Sequence, residues 1–101
     1  MAPRLKLQEL LETILGSSEV YFQPGAQVTM DYPAIVYNVD GLDTEWADNL
    51  AYKQDVEYQV VVIHRDPDNE VWREVGRLPK SSLQRTQVVG NLNHYYFNIS
   101  F

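Results

Sequence analysis

One stretch constrains this chain more than any other: Tyr58-Gln59-Val60-Val61-Val62-Ile63-His64-Arg65-Asp66-Pro67-Asp68. On an extended strand, Tyr58, Val60 and Val62 face one way, while Val61 and Ile63 face the other. Apolar residues on both faces imply burial on both sides and a central place in a sheet. The run stops at Asp66-Pro67, a pair that suits a helix start. The aspartate can cap free N–H groups, and the proline fits the first turn. Val71, Val75 and Leu78 then form a helical stripe flanked by Trp72, and Pro79 closes it.

The flanking segments read as regular structure. Leu7, Leu10, Leu11, Ile14 and Leu15 recur at i, i+3, i+4, i+7 and i+8 on a helix over residues 4–15. Pro3 suits its first turn and Gly16 its stop, with Lys6, Gln8, Glu9 and Glu12 on the outer face. The pattern predicts a core of Leu10, Leu11, Ile14, Val60, Val62, Val75 and Phe97. Glu19-Val20-Tyr21-Phe22 reads as a short strand and Gln23-Pro24-Gly25 as a turn. Residues 34–39 form a strand opened by Pro33, and residues 83–89 form another. Tyr95, Phe97, Ile99 and Phe101 alternate with Tyr96, Asn98 and Ser100, a period-2 strand. The order α-β-β-β-α-β-β implies an α+β fold, a mostly antiparallel sheet of four to five strands with two helices packed on it.

The chain has 101 residues, the length of one domain. A chain of this size buries roughly 60–70% of its unfolded surface, enough for one modest core. No cysteine is present, which excludes a disulfide framework and thiolate metal sites. No apolar run approaches the roughly 18 residues of a membrane helix, and Met1-Ala2-Pro3-Arg4 leads into an amphipathic helix, unlike a signal peptide. The net charge of −6 argues against dedicated nucleic-acid binding.

Residues 40–55 are the least ordinary part. Asp40, Asp43, Glu45, Asp48 and Asp55 sit among Gly41, Trp46, Asn49 and Tyr52. Such a connection is far longer than a hairpin needs, and long connections in compact domains tend to be functional or disordered. The aromatic residues argue against disorder. The segment is expected to be an ordered loop or β-arm. Trp46, Ala47, Asp48, Asn49 and Tyr52 are its candidate interface residues.

Reactive constellations are missing. His64 and His94 can meet across neighbouring strands, but two ligands fall short of a metal site. Asp66-Pro67-Asp68-Asn69-Glu70 only faintly echoes a calcium loop, with Arg77 where the closing glutamate belongs. The serines lack a nucleophile elbow, and no phosphate loop or dinucleotide fingerprint is present. The acids at 40, 43, 45 and 48 have no evident pocket to shift their pKa values. The expectation is a protein without catalytic, metal or cofactor-binding residues, and so not an enzyme.

The landmarks occur in a particular order: Ile14-Leu15-Gly16, Val20-Tyr21-Phe22-Gln23-Pro24, Tyr32-Pro33-Ala34-Ile35-Val36-Tyr37, Ala47-Asp48-Asn49 with Tyr52, the strand at 58–63 leading into Arg65-Asp66-Pro67-Asp68, Leu78-Pro79, Asn91-Leu92-Asn93-His94 and Phe97-Asn98-Ile99-Ser100-Phe101. Over nearly its whole length the chain thereby resembles the tail-completion and tail-terminator-like proteins of long-tailed bacteriophages (siphophages) and prophages. It departs from them at Asn69-Glu70-Val71-Trp72, where a proline-rich helix start is common. The resemblance implies a structural virion protein of the neck, assembled in the host bacterial cytoplasm as a ring, commonly a hexamer. One face would cap the tail tube protein, and the other would dock to the head-completion or connector protein. DNA would pass through without being specifically bound, and Asp40, Asp43 and Glu45 become candidates for lining the channel. The alternatives are another minor tail or head-closure component, or a non-enzymatic module that grips a partner with residues 40–55.

Overall fold

The computed structural model describes residues 3–24 and 30–101, excluding the side chains of Pro3, Asp43, Ala51, Tyr52, Lys53 and Gln54. Its elements are α1 (Pro3–Leu15), β1 (Val20–Phe22), β2 (Ala34–Ala47), β3 (Leu50–His64), α2 (Val71–Gly76), β4 (Ser81–Val89) and β5 (Leu92–Ser100). The five strands form one sheet in the order β1-β2-β3-β5-β4. The fold is thus α+β. β3 is central, as its two-faced apolar pattern requires. All pairings are antiparallel except β1 with β2, which run parallel with Val20 beside Ile35.

Strand register sorts the side chains. Ile35 pairs with Val62, Tyr37 with Val60, Phe97 with Val60 and Ile99 with Tyr58. These residues share one face, and Leu7 and Leu11 of α1 and Val75 of α2 pack onto it. Both helices therefore lie on one side of the sheet. Val61 and Ile63 point to the opposite face and are also buried, among the neighbouring side chains of the sheet. Pro33 precedes the first residue of β2, where its missing N–H breaks no ladder bond.

Polar contacts hold the N-terminal part of α1. Gln8 Nε2 donates to the Val20 carbonyl at 3.0 Å, and the Tyr37 hydroxyl donates to Gln8 Oε1. Arg4 reaches the same hydroxyl at 3.3 Å and lies 4.5 Å from the Phe22 ring centre. Gln8 is thus a tie to the sheet and not an outer-face residue. It satisfies the hydroxyl of a tyrosine whose ring is fully buried.

Three expectations need correction. Leu10 is 41% exposed and Ile14 only partly buried, although Leu11, Val60, Val62, Val75 and Phe97 are buried. Leu10 lies at one margin of the stripe, where it faces a groove beside Phe101. The second helix starts at Val71, with no cap from Asp66. The Asp66 carboxylate instead accepts the Asp68 N–H at 2.9 Å, and the Asp66 carbonyl accepts the Asn69 N–H at 3.0 Å. Pro67 suits the second position of such a turn, so the local Asx turn wins over helix capping. The helix also ends at Gly76, before Pro79, with tightened bonds from the N–H groups of Arg77 and Leu78 back to Glu74 and Val75. The expected turn at Pro24-Gly25 is untouched by these corrections, since it runs into residues 25–29, outside the described residues.

The packing separates two leucines on one helix. Leu11→Ala should lower unfolding free energy by about 2–5 kcal/mol, as expected for a fully packed leucine. Leu10→Ala should change it by less than about 1 kcal/mol, since an exposed side chain leaves no cavity. Denaturant unfolding followed by circular dichroism checks both. Equal losses would contradict this placement of α1.

Candidate functional site

β2 and β3 contain 14 and 15 residues, far longer than the other strands. β1 covers the outer edge of β2 only as far as Tyr37, and β5 covers β3 only from Glu57 onward. Beyond those points the two strands continue alone as a ribbon, from Leu42 paired with Val56 to Ala47 paired with Leu50. Residues 40–55 are therefore a β-arm. Asp48 and Asn49 close it with φ values of 51° and 63°. Positive φ at both central residues is the requirement of a two-residue type I′ hairpin, and Asn accepts it well. The segment that looked too long for a hairpin connection is a hairpin with strands extended into it.

The arm is built to twist. Register shifts occur at Asp40 and again between Glu45 and Trp46. Bulges of this kind bend a ribbon and blunt its edges against indiscriminate strand pairing. The Asp40 carboxylate, at the first shift, accepts the Asn98 side-chain amide at 3.3 Å, and Lys80 approaches Asp55 at 3.9 Å. These contacts fix the base of the arm to the sheet.

Toward the tip the apolar side chains lack cover. Trp46 is 68% exposed, Leu50 72% and Leu42 58%, and Val39 is also exposed. Leu42 and Trp46 are four residues apart on one strand and share a face. Ala47, Asp48 and Asn49 are exposed at the tip. The Tyr52 backbone belongs to β3, but its side chain lies outside the described residues, as does that of Asp43. Asp40 and Glu45 are exposed, strung along the ribbon and not gathered around a pocket. Sequence reasoning singled out Trp46 but passed over Leu42 and Leu50. Reading Asp48-Asn49 as a hairpin turn would have exposed the stripe.

Two other places drew attention in the sequence. His64 and His94 do not meet: His94 pairs with Ile63, so the two rings project from opposite faces. Among the described residues no three His, Asp or Glu side chains are grouped to hold a metal ion. His64 is buried beneath Tyr95 at a ring distance of 5.1 Å, and Trp72 stacks on the other side of Tyr95 at 4.7 Å. Neither ring nitrogen of His64 has a well-placed hydrogen-bond partner among the described residues. Burial pushes its pKa below the usual value of 6.5, and the nearby Asp66 backbone and carboxylate offset this only in part. Trp72 is thereby accounted for as a packing residue, which leaves Trp46 as the tryptophan without cover.

No known protein-family model matches the sequence, and no curated protein matches it. Among the described residues no helix is long and apolar enough to cross a membrane.

The buried imidazole makes stability sensitive to acid. Because its folded pKa is lowered, the unfolded chain binds the proton more readily. Stability is therefore full above about 6.5 and falls as pH drops from there toward the folded pKa. Between about pH 7 and pH 5 the thermal midpoint of the wild type should fall more steeply than that of His64→Leu. Parallel profiles for the two proteins would contradict the burial of this ring as the source of the acid sensitivity.

Proposed function

We propose that this chain is a non-enzymatic structural subunit of the neck of a long-tailed bacteriophage, a tail-completion or tail-terminator protein. In this reading it forms a hexameric ring that caps the tail tube and joins it to the head-completion complex of the virion. The observation that carries the reading is the arm. A two-stranded ribbon is marginal in water by itself, and this one extends past the sheet with Trp46, Leu42 and Leu50 in solvent. Exposed aromatic and aliphatic anchors on a projecting element fit permanent assembly with other subunits better than solitary function.

The order of sequence landmarks supports the narrower assignment to the neck. The charge agrees with it. Six copies of a chain of charge −6 carry 6 × (−6) = −36, which disfavours retention of a phosphate backbone in the lumen. Carboxylates among Asp40, Asp43 and Glu45 that do not meet a partner's cations would add to that negative wall.

Trp46→Ala tests the reading, because the residue supports the arm's contacts and not the core. The variant should keep the circular dichroism spectrum and thermal midpoint of the wild type. In electron micrographs the wild type should cap the ends of purified tail tubes and restore head–tail joining to particles that lack it, and the variant should do neither. A folded variant that joins heads to tails normally would overturn the interface role of Trp46, and a wild type that neither caps tail tubes nor restores joining would overturn the neck assignment.

A further inference from the structure

Charge is divided unevenly between the arm and the opposite end of the sequence. Residues 38–57 hold six carboxylates (Asp40, Asp43, Glu45, Asp48, Asp55 and Glu57) against Lys53 alone, a formal −5 of the chain's −6. Residues 70–101 hold four cations (Arg73, Arg77, Lys80 and Arg85) against Glu70 and Glu74, a formal +2. Two of these cations rim a groove of about 390 Å³ between α2 and β4, lined by Trp72, Arg73, Gly76, Arg77, Leu83 and Phe97. Leu83 is 44% exposed on its wall. Gly76 forms part of the floor, where a Cβ would stand at ordinary contact distance, 3.4 Å, from Phe97 Cε1. An apolar floor with a cationic rim complements a tryptophan carried on an anionic ribbon.

The arm points away from the groove of its own chain. β3 pairs with β5 from His64 beside Asn93 to Glu57 beside Ser100, so the arm leaves the sheet past Ser100. Its tip lies eight residues beyond Glu57, about 25 Å away for an extended strand. The groove must come from another molecule. We infer that the arm of one copy docks on the α2–β4 groove of a second copy, with Trp46 over Leu83 and Phe97 and the arm's carboxylates facing Arg73 and Arg77. Those arginines now pair with Glu70 at 3.7 Å and Glu74 at 2.8 Å along their own exposed helix surface. Exposed pairs of this kind are weakly held and can exchange partners. Giving and receiving surfaces differ, so the contact is heterologous and repeats from copy to copy until a ring closes. This deepens the ring-forming reading above and rests on it.

A mixing experiment tests the inference. Trp46→Ala disables the arm and leaves the groove, whereas Arg73→Glu combined with Arg77→Glu disables the groove and leaves the arm. The substituted side chains are exposed, so both proteins should fold, as circular dichroism would show. In sedimentation and native mass spectrometry the wild type should form a closed oligomer. Each variant alone should self-associate about 30-fold more weakly, the effect of losing one interface anchor. An equimolar mixture should yield a complex of two chains and nothing larger, because only one working arm meets one working groove.

The chain has no cysteine, so introduced thiols can report the contact directly. Ala47→Cys copies should form disulfides with Leu83→Cys copies in preference to Leu10→Cys copies, whose exposure is similar. Normal assembly of the groove variant, no two-chain complex in the mixture, or preferential linkage to Leu10→Cys would overturn the arm–groove contact. A wild type that stays monomeric at all concentrations would overturn docking on a second copy. If Trp46→Ala still abolished head–tail joining in that case, the neck assignment would stand. Conversely, a wild type that forms rings through the groove but neither caps tail tubes nor restores head–tail joining would overturn the neck assignment and leave the contact.

Discussion

Thirteen paired positions join β2 to β3, from Ala34 beside Ile63 to Ala47 beside Leu50. The rest of the structure depends on this one antiparallel register. At one end it aligns Ile35 and Tyr37 with Val62 and Val60 on the face that α1 covers. At the other end it carries the same two strands past the sheet as the arm. A slip of one residue would turn the apolar set of β3 toward the wrong face, and it would also move Trp46 across the ribbon. Core and arm cannot be specified independently.

The two ends of that pairing differ in what supports them. Between residues 57 and 64, β3 has neighbours on both edges and helices above one face. Between residues 42 and 54 the described strands pair only with each other, and their larger apolar side chains that are described, Leu42, Trp46 and Leu50, are exposed. Most strand stability comes from packing and not from intrinsic propensity. The body is therefore the self-sufficient part, and the arm has least support from its own chain. An element with these properties is expected at the low end of local stability until something packs on it.

Much of this was legible in the sequence where periodicity reported burial. The helix at residues 4–15, the two-faced strand at 56–63 and the alternating strand from Tyr95 were all visible, because each buries a continuous stripe. The rest depended on competition that periodicity does not record. Asp66 caps a turn because its carboxylate finds the Asp68 N–H first. Leu10 matches the helical stripe but faces a groove beside Phe101 and stays 41% exposed. The parallel pairing of β1 with β2 is set by tertiary placement and has no local signature. At the arm, composition marked Trp46 and the acids as unusual. Their meaning came only with the hairpin geometry, which separates the exposed stripe from the core. The groove between α2 and β4 was not legible at all, since it joins residues from three separate elements.

The central claim is that the body folds by itself while the arm acquires its stability from a partner. Hydrogen exchange of backbone amides, measured on the dilute chain and on its assembled form, tests this most directly. In the dilute chain, amides at 35–37, 58–63 and 95–99 should exchange only through global unfolding, whereas those at 42–47 and 50–55 exchange far faster. On assembly the arm amides should become protected by at least about 100-fold, while the body changes little. Arm amides already as protected in the dilute chain as those of β3 and β5, or unchanged on assembly, would contradict the account.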